Sequence, residues 1–194
     1  QIFVHKNILK KIFSFALILV IFCGNLASQE SDIQNQVAEK DVSQVTEKKL
    51  ILKKDYSKNT LVQKQIEQYT SNFAKDWLNS VMSESLKYRA YVQKVLAEND
   101  LPQELQYLPV IESSYKISAL SKSGAYGMWQ FMKNSISPFN IRVNSWMDER
   151  KDPWLSTNAA VKKLKENYAY LGSWELALAA YNCGLGAMNR TIKK

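Results

Sequence analysis

The sequence predicts an all-α domain placed behind an export signal and a polar tether. Three observations carry this. No segment of the 194 residues shows sustained apolar–polar alternation. From Leu61 onward, apolar residues recur at steps of three and four, the period of a half-buried helix. Residues 29–55 contain no aromatic side chain, while all five tryptophans fall between Trp77 and Trp174, so the core belongs to the C-terminal two thirds.

Residues 1–28 read as a signal peptide. Lys6, Lys10 and Lys11 precede an apolar run from Ile12 to Phe22, and small residues follow at Gly24, Ala27 and Ser28. The run suits a signal core of roughly 7–15 residues, whereas a bilayer span needs about 20. Cys23 stands where a lipoprotein cysteine would, although Phe22 precedes it where a small residue is usual. A soluble periplasmic chain and one anchored in the membrane by lipid therefore both stay open. The chain opens on Gln and stops soon after its last motif, so it reads as part of a longer reading frame. Residues 29–59 are rich in Gln, Glu, Lys, Ser and Asp and read as a polar tether.

Residues 60–194 read as the folded domain. Leu61, Val62, Ile66, Tyr69, Phe73, Trp77, Leu78 and Val81 predict one long helical stretch. Ser83–Ser85 breaks it before a second, carried by Tyr88, Tyr91, Val92, Val95 and Leu96 and closed at Asn99–Asp100. Pro102 opens the next helix. Further helices are predicted over about 127–137, 157–170 and 174–181, with Ser156 and Ser173 as N-caps of the last two and an irregular or hairpin piece around 141–146.

The net charge is +8, and losing residues 1–28 removes three lysines and no acid, which leaves +5. A basic exported chain suits an anionic partner such as cell-wall polymer or lipid head groups. Nucleic acid is disfavoured by export and by the scatter of the four arginines, at 89, 142, 150 and 190. Cys183 is the one cysteine outside the signal, and the single histidine, His5, lies within it, so no metal or cofactor site is visible.

Three stretches carry chemistry. In L-P-Q-E-L-Q-Y-L-P-V-I-E-S-S-Y, from Leu101, the spacing puts Glu112 on one helical face with Leu105, Leu108 and Ile111. A carboxyl on an apolar face is raised in pKa, which suits a general acid; a solvated helix-end Glu is the plain alternative. Pro109 reads as a helix-interior proline that implies a bend. In S-K-S-G-A-Y-G-M-W-Q-F-M, residues 121–132, Gly124 and Gly127 flank a turn that lets backbone approach a ligand. Gln130 is a lone amide amid apolar neighbours, bound for either a backbone partner or a sugar. In L-A-L-A-A-Y-N-C-G-L-G, residues 176–186, Trp174, Ala177, Leu178 and Tyr181 share a core face, and Asn182 and Gly184 look like helix-end chemistry.

In this order, E-S, G-A-Y-G-M-W-Q-F-M and A-Y-N-C-G resemble the transglycosylase SLT domain, the lysozyme-like (goose-type) catalytic domain of bacterial lytic transglycosylases, over about residues 85–194. The context of the first stretch, together with D-E-R-K-D-P at 148–153, looks like the membrane-bound lytic transglycosylase D type. The resemblance implies a monomeric cell-envelope enzyme acting on peptidoglycan glycan strands and needing no cofactor. It would cut the MurNAc–GlcNAc β-1,4 bond without water and leave 1,6-anhydro ends. Glu112 matches the single catalytic acid/base. Ser113, Ser121, Gly124, Gln130, Tyr181 and Asn182 match substrate-side positions. Cys183 replaces the usual alanine, and Ser137-Pro138-Phe139 interrupts a smoother helix end. Family members often continue into LysM repeats. The rival readings are a hydrolytic muramidase with Asp148 or Asp152 as second carboxylate, a non-catalytic wall-binding protein and, least supported, an exported DNA-binding protein.

Overall fold

The computed structural model describes residues 50–52, 55–56 and 58–193. The signal segment, Cys23 and most of the tether lie outside the described residues. Within them the regular structure is helical, relieved by isolated β-bridges, and no helix is long and apolar enough to cross a membrane.

Among the described residues seven α-helices follow in chain order: α1 Thr60–Thr70, α2 Asn72–Ser85, α3 Arg89–Glu98, α4 Leu108–Ser113, α5 Pro153–Leu171, α6 Trp174–Cys183 and α7 Leu185–Ile192. The long helical stretch predicted from Leu61 is two helices. Ser71 divides it, because its extended backbone ends α1 while its hydroxyl accepts from the Ala74 amide and starts α2. The break predicted at Ser83–Ser85 is present, and α3 buries Val92, Val95 and Leu96. After Pro102 the chain makes a 3-10 turn, Gln103–Tyr107, before tightening into α4. Pro109 therefore sits at the start of α4 rather than inside a helix, where its missing N–H costs nothing. The bend read from it is the change from 3-10 to α geometry at Tyr107–Leu108.

The α-helix predicted over 127–137 is absent, and only the 3-10 turns Lys133–Ser135 and Ser137–Phe139 fall at its end. Residues 119–131 fold back on themselves instead: the amides of Tyr126 and Phe131 each bond the other's carbonyl, and the Gly127 amide reaches Ala119 O. The apolar spacing of Met128, Trp129 and Phe131 imitates a helix, yet all three are buried as the tip of this hairpin. Gly127 decides the matter. Its φ is +83°, and a Cβ there would lie 1.9 Å from the Arg150 carbonyl oxygen. That carbonyl belongs to a second irregular piece, 141–152, where Val143 pairs with Asp148; the sequence predicts an irregular or hairpin piece around 141–146. The Arg150 guanidinium is buried and clamps the two pieces, donating to Gly124 O and Phe131 O while paired with Asp148.

Asp152, not Ser156, caps α5, accepting from the amides of Trp154 and Leu155. Ser156 lies one turn inside, buried and bonded back to Asp152 O. Ser173 caps α6 as predicted. Helices α5 and α6 form the principal helix pair. Trp129 is fully buried and joins the hairpin to α5 through Thr157. The core thus fastens the loops to the helices, and that joint positions the cleft.

The two hairpin glycines should differ sharply on substitution. Gly124→Ala meets open space and only backbone strain, about 1 kcal/mol. Gly127→Ala adds a clash with backbone and should lose more than about 3 kcal/mol. Chemical denaturation measures both, and equal losses would contradict this packing.

Candidate active site

Helix α4 is only six residues long, and Glu112 is its penultimate residue. The helix stops abruptly because Ser114 and Tyr115 both adopt left-handed backbone, with φ of 54° and 60°. Such conformations cost non-glycine residues of order 1 kcal/mol each and persist where the surroundings enforce them. Here the amides of Ser114 and Tyr115 return to carbonyls of the first turn, and the buried Tyr115 hydroxyl donates to Gln106 O. The chain turns away at once and leaves the Glu112 side chain on the wall of a cavity of about 590 Å³.

Glu112, Ser121, Gln130, Tyr181 and Asn182 all line this cavity. The structure thus gathers α4, the hairpin and the end of α6 around one carboxyl. Tyr181 is both core and cleft: its ring is buried and its hydroxyl donates to Trp129 O. Gln130, left-handed at φ 50°, spends its amide Nε2 on Ala119 O and Gly127 O. The backbone partner is therefore real, and the amide is locked in place as part of the cleft wall. The Ser121 hydroxyl accepts from the Ala125 amide and pairs with Ser123. Asn182 is exposed at the cavity edge, and Gly184, φ +85°, supplies the helix-end geometry beside it.

Two of the sequence-derived positions stand apart from the cavity lining. The Ser113 hydroxyl donates to Met128 O and Pro109 O, which ties α4 to the hairpin. Gly124 forms the turn behind Ser121 and Ala125, and its carbonyl is held by Arg150.

Burial pushes the Glu112 carboxyl up from the ordinary glutamate range to about 7, and the nearby Lys163 ammonium opposes part of the rise. Among the described residues none donates a hydrogen bond to this carboxyl, so the Lys163 charge is what offsets its desolvation. Sequence reasoning missed Lys163, because K-K-L-K-E reads as a solvated helix face. A signal was available: Lys163 lies four residues beyond Ala159 and four before Asn167, both buried. The carboxylates expected of a hydrolytic muramidase, Asp148 or Asp152, and their neighbour Glu149 are engaged elsewhere. Asp148 pairs with Arg150, Glu149 pairs with Arg142, and Asp152 caps α5; none lines the cavity.

An all-α core that presents one desolvated carboxyl to an open cleft defines a helical domain of the lysozyme-like class. Residues 90–194 match the transglycosylase SLT domain, and the chain belongs to that family. It is similar to "Membrane-bound lytic murein transglycosylase D" of Escherichia coli K12, with 29% identity over 143 residues, which cover 73% of this chain and 31% of the relative. The protein of the same name from E. coli O6:H1 matches equally. A "Putative tributyltin chloride resistance protein" of Alteromonas sp. is 33% identical over 117 residues, 60% of this chain and 56% of that one. The chain thus spans under a third of the length of the E. coli relatives.

The raised carboxyl has a consequence for stability. The folded protein holds the Glu112 proton more tightly than the unfolded chain, so this group's contribution is fully present below about pH 4.5, falls as pH rises, and is gone above about pH 7. Glu112→Gln should therefore be more stable than wild type at pH 8, by on the order of 1–3 kcal/mol. The gain should shrink towards pH 4. Thermal unfolding at the two pH values measures it, and a pH-independent difference would contradict a desolvated carboxyl.

Proposed function

We propose that this chain is a peptidoglycan lytic transglycosylase of the cell envelope, using Glu112 as its acid and base. The observation that carries the reading is that, among the described residues, a single desolvated carboxyl stands on the cleft wall, with the nearest alternative carboxylates bound in ion pairs or a helix cap. Family membership and the names of the E. coli relatives support the substrate class.

The chemistry follows from having one carboxyl. Glycosidases that use water or a covalent intermediate ordinarily need two, the second to activate the water or to form the covalent bond. With one, Glu112 first gives its proton to the oxygen between MurNAc C1 and GlcNAc, and the C1–O bond breaks. The substrate's N-acetyl group stabilises the cationic centre. The Glu112 carboxylate then takes the proton of the muramic C6 hydroxyl, O6 bonds C1, and a 1,6-anhydro end results. A proton affinity near neutrality suits both steps, since the group must release and recover a proton at similar cost. The locked Gln130 amide, Ser121 and the exposed Asn182 offer polar contacts to the sugars. The Tyr181 ring shields the carboxyl.

Three outcomes are expected. Purified peptidoglycan digested by the full chain should yield muropeptides one water lighter than hydrolytic products, by mass spectrometry. Reducing ends would instead establish a muramidase, and glycan bound but uncut would establish a binding protein. Glu112→Gln should lose at least a hundredfold in kcat/KM, whereas Asp148→Asn should act on rate only as far as it loosens Arg150. Because the acid must carry its proton, kcat/KM of the wild type should fall as pH rises through about 7. A profile flat from pH 6 to 8 would contradict this assignment.

A further inference from the structure

Glu112 and Lys163 are the two charged side chains that line the cavity among the described residues. Lys163 reaches it from α5, and its position is specified rather than loose. The Nζ donates to Tyr181 O at 2.9 Å and stands 4.3 Å from the Tyr181 ring centroid and 5.5 Å from that of Phe131. A cation over two aromatic faces is held by their negative quadrupole surface. No carboxylate of the described residues lies within ion-pair distance of it. A partly buried lysine without a close acidic partner is costly to keep. Ordinary packing does not need it, since an apolar side chain would cover the same aromatic faces.

We infer that Lys163 is a positioning residue for the reaction, set on the Tyr181 carbonyl to stabilise the carboxylate that Glu112 becomes once its proton has gone to the leaving oxygen. The inference rests on the reading of Glu112 as acid and base. Its logic is differential: before the proton leaves, Glu112 is neutral and gains little from the ammonium. Afterwards the two opposite charges share a desolvated wall, where attraction is stronger than in water. The ammonium thus acts only after charge has formed, and it weakens again when the carboxylate recovers a proton from the C6 hydroxyl.

The other groups facing Glu112 leave this role to Lys163. From α6 come Tyr181 and Cys183, whose phenol and thiol are both pushed up by burial and stay neutral near pH 7. From the hairpin come Ser121, Ser123 and Gln130, which carry no charge. Burial pulls the Lys163 ammonium down and Glu112 pulls it back up, the mutual response of a facing pair.

The test uses the full chain as wild type, Lys163→Met, Lys163→Gln and Lys163→Arg. The midpoint of Glu112 is read from its carboxyl carbon resonance, assigned through Glu112→Gln, and kcat/KM is followed against pH on peptidoglycan. Removing the ammonium should raise the Glu112 midpoint by about one pH unit and carry the alkaline limb of the rate profile up with it. It should also lower the plateau about tenfold. Lys163→Arg should restore midpoint, limb and most of the rate. A purely structural lysine would lower the plateau and leave midpoint and limb in place, and that result would overturn the inference. Lys163→Gln keeps a polar group at the site, so it reports the loss of charge if the methionine variant does not fold. A wild type that makes no product, with a midpoint that still rises in Lys163→Gln, would sink the proposed function and keep the coupling. An active wild type with an unmoved midpoint would sink the coupling alone.

Discussion

The constraint on which the structure depends is the removal of the Glu112 carboxyl from bulk water without sealing it from the cleft. Raising a glutamate from its ordinary range to about 7 makes its ionised form unfavourable by roughly 3 kcal/mol, and the rest of the fold must sustain that. Several separate contacts do so. The left-handed pair Ser114–Tyr115 ends α4 directly after the carboxyl, Ser113 ties that helix to Met128 O, and Tyr181 ties α6 to Trp129 O. Trp129 in turn is bonded to Thr157 on α5. Each such bond contributes about 1 kcal/mol. Acting together they hold three chain segments, distant in sequence, against one side chain.

The same economy explains the irregular loops. A helix over 127–137 would carry Gly127 into ordinary helical geometry and pull the hairpin off Arg150. Instead the buried guanidinium holds Gly124 O and Phe131 O, and Asp148 neutralises it. The acidic run Asp148–Glu149 therefore serves the scaffold that shapes the cleft wall. A carboxylate committed to a buried arginine is a poor general base, because its proton affinity is held low by that partner. This is the physical ground for preferring one-carboxyl chemistry over hydrolysis.

Much of this was legible in the sequence, and the failures have identifiable causes. The helices α3, α5 and α6 followed from apolar period, and Ser173 was recognisable as a cap because serine precedes an apolar run. Ser71 is hidden because the apolar period continues across it, and Asp152 because Ser156 stands nearer the apolar residues. The hairpin was read as a helix because Met128, Trp129, Phe131 and Met132 carry helical spacing. Gly127 gave the opposing signal, but the φ it must adopt is set by Arg150, more than twenty residues away. Glu112 stood out through its apolar face and the family motif. Lys163 did not, because a lysine among lysines signals solvent until the fold places Tyr181 and Phe131 beneath it.

In the proposed reaction one carboxyl cuts the glycan with the substrate's own hydroxyl in place of water. Digestion of peptidoglycan in water enriched in oxygen-18 tests this most directly. Muramic ends without the heavy oxygen are expected, since O6 of the same sugar closes on C1. A heavy oxygen at C1 of the new ends would show that water is the acceptor and would contradict the proposed reaction.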